Sequence, residues 1–98
     1  MVEFEEDLLE PLPLDGMYLP RIRLTLGEDA PYFQVKVGEQ AYQYEKSYPI
    51  KGHSATLPKF AREAMAAGRK PLIIERPTRF LVYLDIYLQL TVSVLARR

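Results

Sequence analysis

Between residues 17 and 46, hydrophobic side chains recur at every second position, which is the spacing of a strand with one buried and one exposed face. Three such stretches follow one another, at residues 18–26, 32–37 and 41–46. In the second, the alternation assigns Phe33, Val35 and Val37 to the buried face. Turn-forming residues at 27–31 and 38–40 separate the stretches. We therefore expect three strands that pair in chain order as an antiparallel meander.

One later segment changes from strand spacing to helix spacing. Its apolar side chains recur at i, i+3, i+4, i+7 and i+8 and lie on one face of a helix: Leu57, Phe60, Ala61, Ala64 and Met65. Gly68 follows where a helix is expected to end. The spacing predicts one amphipathic helix over residues 57–67.

The last part of the chain alternates without interruption. After a short apolar run at residues 72–75, the alternation continues from residue 80 to residue 94. A strand of that length would span about 50 Å, which exceeds the width expected of a small domain. The strand must therefore break near residues 85–89, or its end must pair with another chain, because a bare apolar edge would aggregate.

The second option predicts a protein contact through the apolar face of this segment. The predicted contact residues are Leu84, Ile86, Leu88, Leu90 and Val92.

The order of predicted elements is β-β-β-α-β-β. A chain of 98 residues is one domain's worth of sequence. The order predicts an α+β fold with one amphipathic helix and either a five-stranded mainly antiparallel sheet or a small, partly open barrel. The element order of the OB-fold is the same, and a plain sheet with a helix on one face fits as well.

Charge is unevenly distributed along a chain whose formal net charge is zero. Residues 1–16 carry six acids and no base, so residues 17–98 carry thirteen bases against seven acids. We interpret residues 1–16 as an acidic N-terminal arm and residues 17–98 as a single β-rich domain. Such an arm is either solvated or available to a partner.

Composition excludes several classes of protein. The chain has no cysteine, which excludes disulfides, thiolate nucleophiles and cysteine-based metal sites. The N-terminus is acidic where a secretory signal carries positive charge, so we expect a cytoplasmic protein. The apolar run at residues 80–94 is too short for a membrane helix and contains Asp85 and Gln89, so no membrane association is expected.

The candidate catalytic chemistry is sparse. His53 is the one histidine, and neither Ser47 nor Ser54 beside it lies in a G-x-S-x-G motif. The five glycines are isolated from one another, so no phosphate-binding loop is present. Metal-binding motifs such as H-E-x-x-H are also absent from the sequence. We therefore expect no enzymatic activity, no cofactor and no bound metal.

Basic and aromatic residues suggest an alternative function. Single-stranded nucleic acids bind where aromatic rings stack on bases and cations follow the phosphates. Residues 42–51 are rich in tyrosine and lysine, and further bases follow the predicted helix. The predicted nucleic-acid contacts are Lys46, Tyr48, Lys51, Arg69 and Lys70.

Two short stretches are locally similar to DNA-binding families. Residues 57–63, followed by the strand at 71–75, resemble AbrB-like swapped-hairpin transcription factors. Residues 64–81 are similar to the helix-hairpin part of Phd-type antitoxins. Either resemblance implies DNA binding as a dimer, with Lys59 and Arg62 as the AbrB-like contacts. Neither fold begins with a three-stranded meander, so we assign the chain to neither family.

These observations together favour a small non-enzymatic binding protein or accessory subunit, with a protein partner or a second copy of the chain as its target. We predict that the protein migrates as a species larger than 11.3 kDa on sizing, alone or with its partner. Truncation after Tyr87 should abolish that assembly, because it removes most of the alternating segment. A strictly monomeric full-length protein with a self-contained C-terminus would contradict this prediction.

Overall fold

The computed structural model describes residues 1–52 and 55–86. These residues form seven strands, one α-helix and one turn of 3-10 helix (Glu6–Leu8). The bounds are β1 (Val2–Phe4), β2 (Glu10–Leu14), β3 (Met17–Arg23), β4 (Gln34–Val37), β5 (Gln40–Pro49), α1 (Thr56–Ala66), β6 (Pro71–Glu75) and β7 (Arg79–Asp85). The helix begins and ends one residue earlier than the sequence predicts.

All seven described strands belong to one mixed sheet of order β1-β4-β5-β7-β6-β3-β2. The β1–β4 and β3–β6 pairs are parallel, and the other four pairs are antiparallel. β1 and β2 lie at the two edges, and the described strands do not close into a barrel. The fold is α+β.

The prediction of a five-stranded, mainly antiparallel sheet or partly open barrel is therefore wrong. β1 and β2 come from the first 16 residues, where no strand was predicted. The meander is also wrong, because β3 pairs with β2 and β6 instead of β4. The connection formed by residues 24–33 is longer than a tight turn. It takes the chain from β3, next to the β2 edge, to β4, next to the β1 edge. Of the predicted meander, the β4–β5 pair does form, joined by a turn in which Gly38 adopts a φ of +59°.

The β2–β3 hairpin explains why one sheet edge is closed to further pairing. Its two-residue turn is Asp15-Gly16, with φ angles of +50° and +82°, as type I′ hairpin turns require. In such a hairpin the residues flanking the turn, Leu14 and Met17, exchange hydrogen bonds across the strands. Alternation then turns Pro11 and Pro13 outward, where proline offers no N–H donor to an added strand.

The sheet is buried on both faces. On one face, Leu57 and Ala61 of α1 pack against buried side chains from four strands: Leu12, Leu19, Ile73, Phe80 and Val82. The opposite face has its own cluster, which α1 does not cover. The members of this second cluster are Ile22, Val35, Val37, Leu72, Ile74, Leu81 and Tyr83.

A bulge in β5 assigns the two halves of this strand to different faces. Tyr44 lies opposite Tyr83, but the next paired residue is Lys46, opposite Val82, so Glu45 is the extra residue. Because one inserted residue reverses the side-chain alternation, the side chains before and after it point to opposite faces. Tyr42 and Tyr44 therefore face the second cluster, whereas Lys46 and Tyr48 face α1.

The end of α1 is fixed to the end of β7. Gly68, with a φ of +80°, and Arg69 donate their backbone N–H groups to the carbonyls of Met65 (3.0 Å) and Ala64 (2.9 Å), which is a Schellman motif. Arg69 Nε and the Lys70 amide then donate to Asp85 Oδ1 at 3.1 and 2.9 Å. β7 ends at this buried carboxylate. The remainder of the predicted long strand, from residue 87, lies outside the described residues.

We predict that Leu57→Ala lowers the free energy of unfolding by about 2 to 5 kcal/mol, because it leaves a cavity between α1 and the sheet. Leu57 is fully buried, whereas Met65 on the same helix is 40% exposed. Met65→Ala should therefore change stability by no more than about 1 kcal/mol. Urea titrations followed by circular dichroism measure both changes. Equal effects of the two substitutions would show that α1 does not pack as described.

Candidate binding surfaces

The predicted protein-contact segment is only partly described. Leu84 is 7% exposed and lies between Gln43 of β5 and Pro71 of β6. Ile86 is half-buried, and its N–H donates to the Ala41 carbonyl at 2.9 Å. Leu88, Leu90 and Val92 lie outside the described residues. A partner contact through this segment stays a prediction, and the Leu84 side chain is already buried within the molecule.

The predicted nucleic-acid residues fall into two separate groups. Lys46 and Tyr48 lie in the second half of β5, and Lys51 comes shortly after that strand. Arg69 and Lys70 lie beyond the C-terminus of α1. Arg69 also donates to the Asp85 backbone carbonyl at 2.5 Å, in addition to its carboxylate contact. Arg69 is thus committed to a structural ion pair, and the structure does not bring the five residues together.

Lys46 and Tyr48 of the first group form one wall of a groove between β5 and α1, which we call the β5–α1 groove. Its volume is about 340 Å³, and its lining residues are Lys46, Tyr48, Thr56, Lys59, Phe60 and Glu63. The rings of Tyr48 and Phe60 lie 6.4 Å apart at an angle of 51°. Lys46 Nζ lies 5.3 Å from the centre of the Phe60 ring, within the range of a cation–π contact.

Electrostatics in the β5–α1 groove affect the tyrosine hydroxyl. Partial burial, followed by the Glu63 carboxylate, raises the pKa of Tyr48 above its usual value of 10.0. Tyr48 is therefore a neutral phenol at physiological pH, able to donate or accept a hydrogen bond.

A second surface lies at the β1 edge and was missed by the sequence analysis. We call it the edge patch; it comprises Met1, Val2, Tyr32, Phe33 and Gln34, which line a concavity of about 300 Å³. Met1 and Phe33 are each 69% exposed and Tyr32 is 40% exposed. The alternation had assigned Phe33 to the buried face, but β4 begins only at Gln34, so the preceding residue does not follow the strand pattern.

Two hydrogen bonds to backbone carbonyls hold the edge patch in place. The buried Tyr83 hydroxyl donates to the Tyr32 carbonyl at 2.8 Å, and the Tyr44 amide donates to the Phe33 carbonyl at 2.9 Å. The rings of Tyr44 and Tyr83 pack edge to face, with centres 5.6 Å apart. Burial raises the pKa of Tyr83 to about 12. The aromatic residues of the patch therefore rest on a rigid support.

The rest of this connection, residues 24–33, is tied to the turn between β6 and β7. Arg76 is buried, and its Nε donates to the Glu28 carbonyl at 2.7 Å and its Nη2 to the Leu26 carbonyl at 3.3 Å. Thr78 donates its amide and hydroxyl to the Asp29 carboxylate at 2.9 and 2.6 Å. The hydrogen bond from the Thr78 hydroxyl, followed by the one from the Thr78 amide, lowers the pKa of the Asp29 carboxyl below its usual value of 3.8.

The described residues offer no metal centre. Among residues 1–52 and 55–86, no cluster of three or more histidine, aspartate or glutamate side chains is placed to hold an ion. His53 and Ser54, the candidates for catalysis, lie outside the described residues. In the same part of the chain, no helix is both long and apolar enough to cross a membrane.

Comparison of the chain with protein-family profiles, with curated proteins and with solved structures finds no significant match. The local resemblances to AbrB-like factors and Phd-type antitoxins therefore gain no support. Function must be argued from the surfaces alone.

The raised pKa of Tyr83 predicts a loss of stability at alkaline pH. Below pH 10 the phenol is neutral in both the folded and the unfolded chain; between pH 10 and 12 the unfolded chain loses its proton first, so stability falls as pH rises. The fall should approach about 1.4 kcal/mol per pH unit for this group. Urea unfolding between pH 8 and 11 measures it.

Tyr83→Phe should weaken this alkaline fall and should cost about 1 to 3 kcal/mol at neutral pH, because the Tyr32 carbonyl loses the hydrogen bond from the buried Tyr83. The matched control is Tyr18→Phe, since Tyr18 is 75% exposed. The control should retain the wild-type pH dependence, and a Tyr83→Phe profile identical to wild type would refute the assignment.

Proposed function

We propose that this chain is a small non-enzymatic binding protein or accessory subunit that acts through protein–protein contacts, with the edge patch as a contact surface. The observation that carries the proposal is the exposure of Met1 and Phe33, 69% each, beside β1, an edge strand of the described sheet. Large apolar side chains grouped at one exposed place are typical of interaction sites.

Burial of the patch by a partner would release a substantial free energy. A phenylalanine side chain transferred from water to an apolar contact contributes about 1.5 to 3 kcal/mol. Aromatic anchors in small concavities are also the residues that carry most of the energy in measured interfaces. Phe33 and Tyr32, which line the concavity at the β1 edge, have this character.

The two edges of the sheet differ in a way that favours the β1 side. Pro11 and Pro13 remove donors from the outer side of β2. On the β1 side, the Phe4 carbonyl accepts from Gly38 of the adjoining β4–β5 turn (3.3 Å), so alternation turns the backbone groups of Glu3 outward. β1 is short, so we assign the affinity to the apolar side chains and only a supporting role to strand pairing.

The hydrogen bonds beneath the patch reduce the entropic cost of binding. Tyr83 and Tyr44 hold the backbone of residues 32 and 33 before any partner arrives. A preorganised surface loses less conformational freedom on association.

Ile86, the last described residue of the predicted contact segment, lies on the same half of the sheet as β1. Ile86 bonds to Ala41, Ala41 pairs with Lys36, and Lys36 pairs with Glu3, so these residues form one row across four strands. Three strand spacings correspond to about 14 Å. A partner with an interface of ordinary size, about 800 Å² on each side, would reach both the edge patch and Ile86, which follows the end of β7.

The proposal is tested with Phe33→Ser, which removes the most exposed ring of the patch. We expect this variant to lose the assembly that we predict for the wild-type chain, measured as mass by light scattering and as recovered partner in a nuclease-treated pull-down. The matched control is Tyr18→Ser, which removes a ring that is 75% exposed on β3.

Retention of the assembly by Phe33→Ser, or its equal loss in Tyr18→Ser, would contradict the proposal. A urea titration of each variant separates loss of binding from loss of folding. Because Phe33 is already exposed, its replacement should change stability by no more than about 0.5 kcal/mol.

A further inference from the structure

We infer that the β5–α1 groove is a second binding site, distinct from the edge patch, and that its ligand is single-stranded nucleic acid. In this site Lys46, Lys51 and Lys59 contact phosphates, and the rings of Tyr48 and Phe60 receive a base. This function goes beyond the proposed protein contact and depends on none of its residues.

The positive charge at this site is available to a ligand. Lys46, Lys51 and Lys59 are exposed, and none forms an ion pair within the part of the chain that the structure describes. Among the described residues that line the groove, Glu63 is the one acid. Two lysines that line the groove, with Lys51 beyond its end, against one carboxylate favour a polyanion over a cation or a neutral ligand.

A third lysine lies beyond the groove, past the end of β5. Lys51 lines a separate concavity of about 470 Å³ together with Pro49, Ile50, Pro77, Thr78 and Arg79. It follows Tyr48 by three residues, which is about 10 Å of extended chain. An extended polyanion held in the groove therefore reaches Lys51 more readily than a compact anion does.

The aromatic rings distinguish nucleic acid from an acidic polypeptide. Tyr48 and Phe60 are both half-buried, with centres 6.4 Å apart, and Lys46 Nζ lies near the Phe60 ring. A cation beside aromatic rings is the combination on which single-stranded nucleic acids bind, with the base on the ring and the phosphate on the cation. An acidic side chain would use the lysines and leave the rings unused.

Acidic residues elsewhere do not oppose binding. Of the six acids in residues 1–16, Asp15 pairs with Arg62 at 2.7 Å and Glu10 lies 3.9 Å from Arg23. The acids at residues 3–7 are adjacent to the opposite end of β5, where the Glu6 side chain packs against Gly38. Gly38 and Tyr48 are ten positions apart, which is about 33 Å of extended chain and exceeds the Debye length of about 10 Å at 0.1 M salt.

The test measures binding of fluorescein-labelled dT12 and U12 to the full chain by fluorescence anisotropy, between 20 and about 200 mM salt. Three neutralised phosphates predict a slope of about −2 in a plot of log affinity against log salt concentration, which is a loss of about 100-fold across this range. The double variant Lys46→Ala/Lys59→Ala should reduce the slope to about −0.7.

The matched control removes the same kind of charge from the other end of the helix. Lys70 is exposed and lies beyond the C-terminus of α1. Lys70→Ala should keep the affinity of wild type within about twofold, and Lys46→Arg/Lys59→Arg should keep the salt slope. Tyr48→Leu, checked for folding by urea titration, should weaken binding about tenfold by loss of stacking.

Three results would overturn the inference: no binding of either oligonucleotide at 20 mM salt, an equal effect of Lys70→Ala, or equal binding of a labelled polyglutamate of the same charge. The last result would identify a site for acidic polypeptides. Phe33→Ser should bind dT12 like wild type, so failure of this site and failure of the edge patch are separately visible.

Discussion

The structure depends on covering the second face of its sheet. α1 covers the face that contains Ile73 and Val82, and no other α-helix occurs among the described residues. The opposite face is nonetheless fully buried around Ile74 and Tyr83. Side chains from two connections, Leu9 and Leu24, pack against it together with those of β1. Irregular segments can seal a core only if their polar backbone groups are satisfied. Arg76 meets that need by donating to carbonyls of residues 24–33, and Tyr83 does so from within the cluster.

This cover connects the fold to both proposed surfaces. Residues 24–33 bond to the β6–β7 turn and then continue to the β1 edge. There the rings of Tyr32 and Phe33 are exposed in the edge patch. β5 contributes to both faces of the sheet. Its bulge at Glu45 turns side chains of the first half toward the second cluster and side chains of the second half toward α1. β5 supports the edge patch through the Tyr44 amide and lines the β5–α1 groove with Lys46 and Tyr48. The two surfaces share no residue, which makes the two proposals independent.

Local patterns predicted the elements whose partners are near in sequence, and failed where pairing is distant. The spacing of Leu57, Ala61 and Ala64 located α1, and the tight turn at Gly38 located the β4–β5 pair. The parallel pairing of β3 with β6 joins segments some 50 residues apart and has no local signature. β2 was missed because residues 1–16 were interpreted as an acidic arm, although Asp15-Gly16 between two apolar runs is a strong hairpin signal. The bulge at Glu45 also lacks a sequence signal, and the predicted strand at residues 41–46 is shorter than β5. Phe33 was misplaced because alternation was extended one residue beyond the strand.

The central claim is that Phe33 meets a protein partner at the β1 edge. The most direct measurement incorporates a photo-crosslinking phenylalanine analogue at position 33 or at position 18 of the full chain, followed by irradiation in the native cell. The account predicts a discrete protein adduct from position 33 and none from position 18. Crosslinking from position 18 alone, or no adduct from position 33 at normal expression, would contradict it.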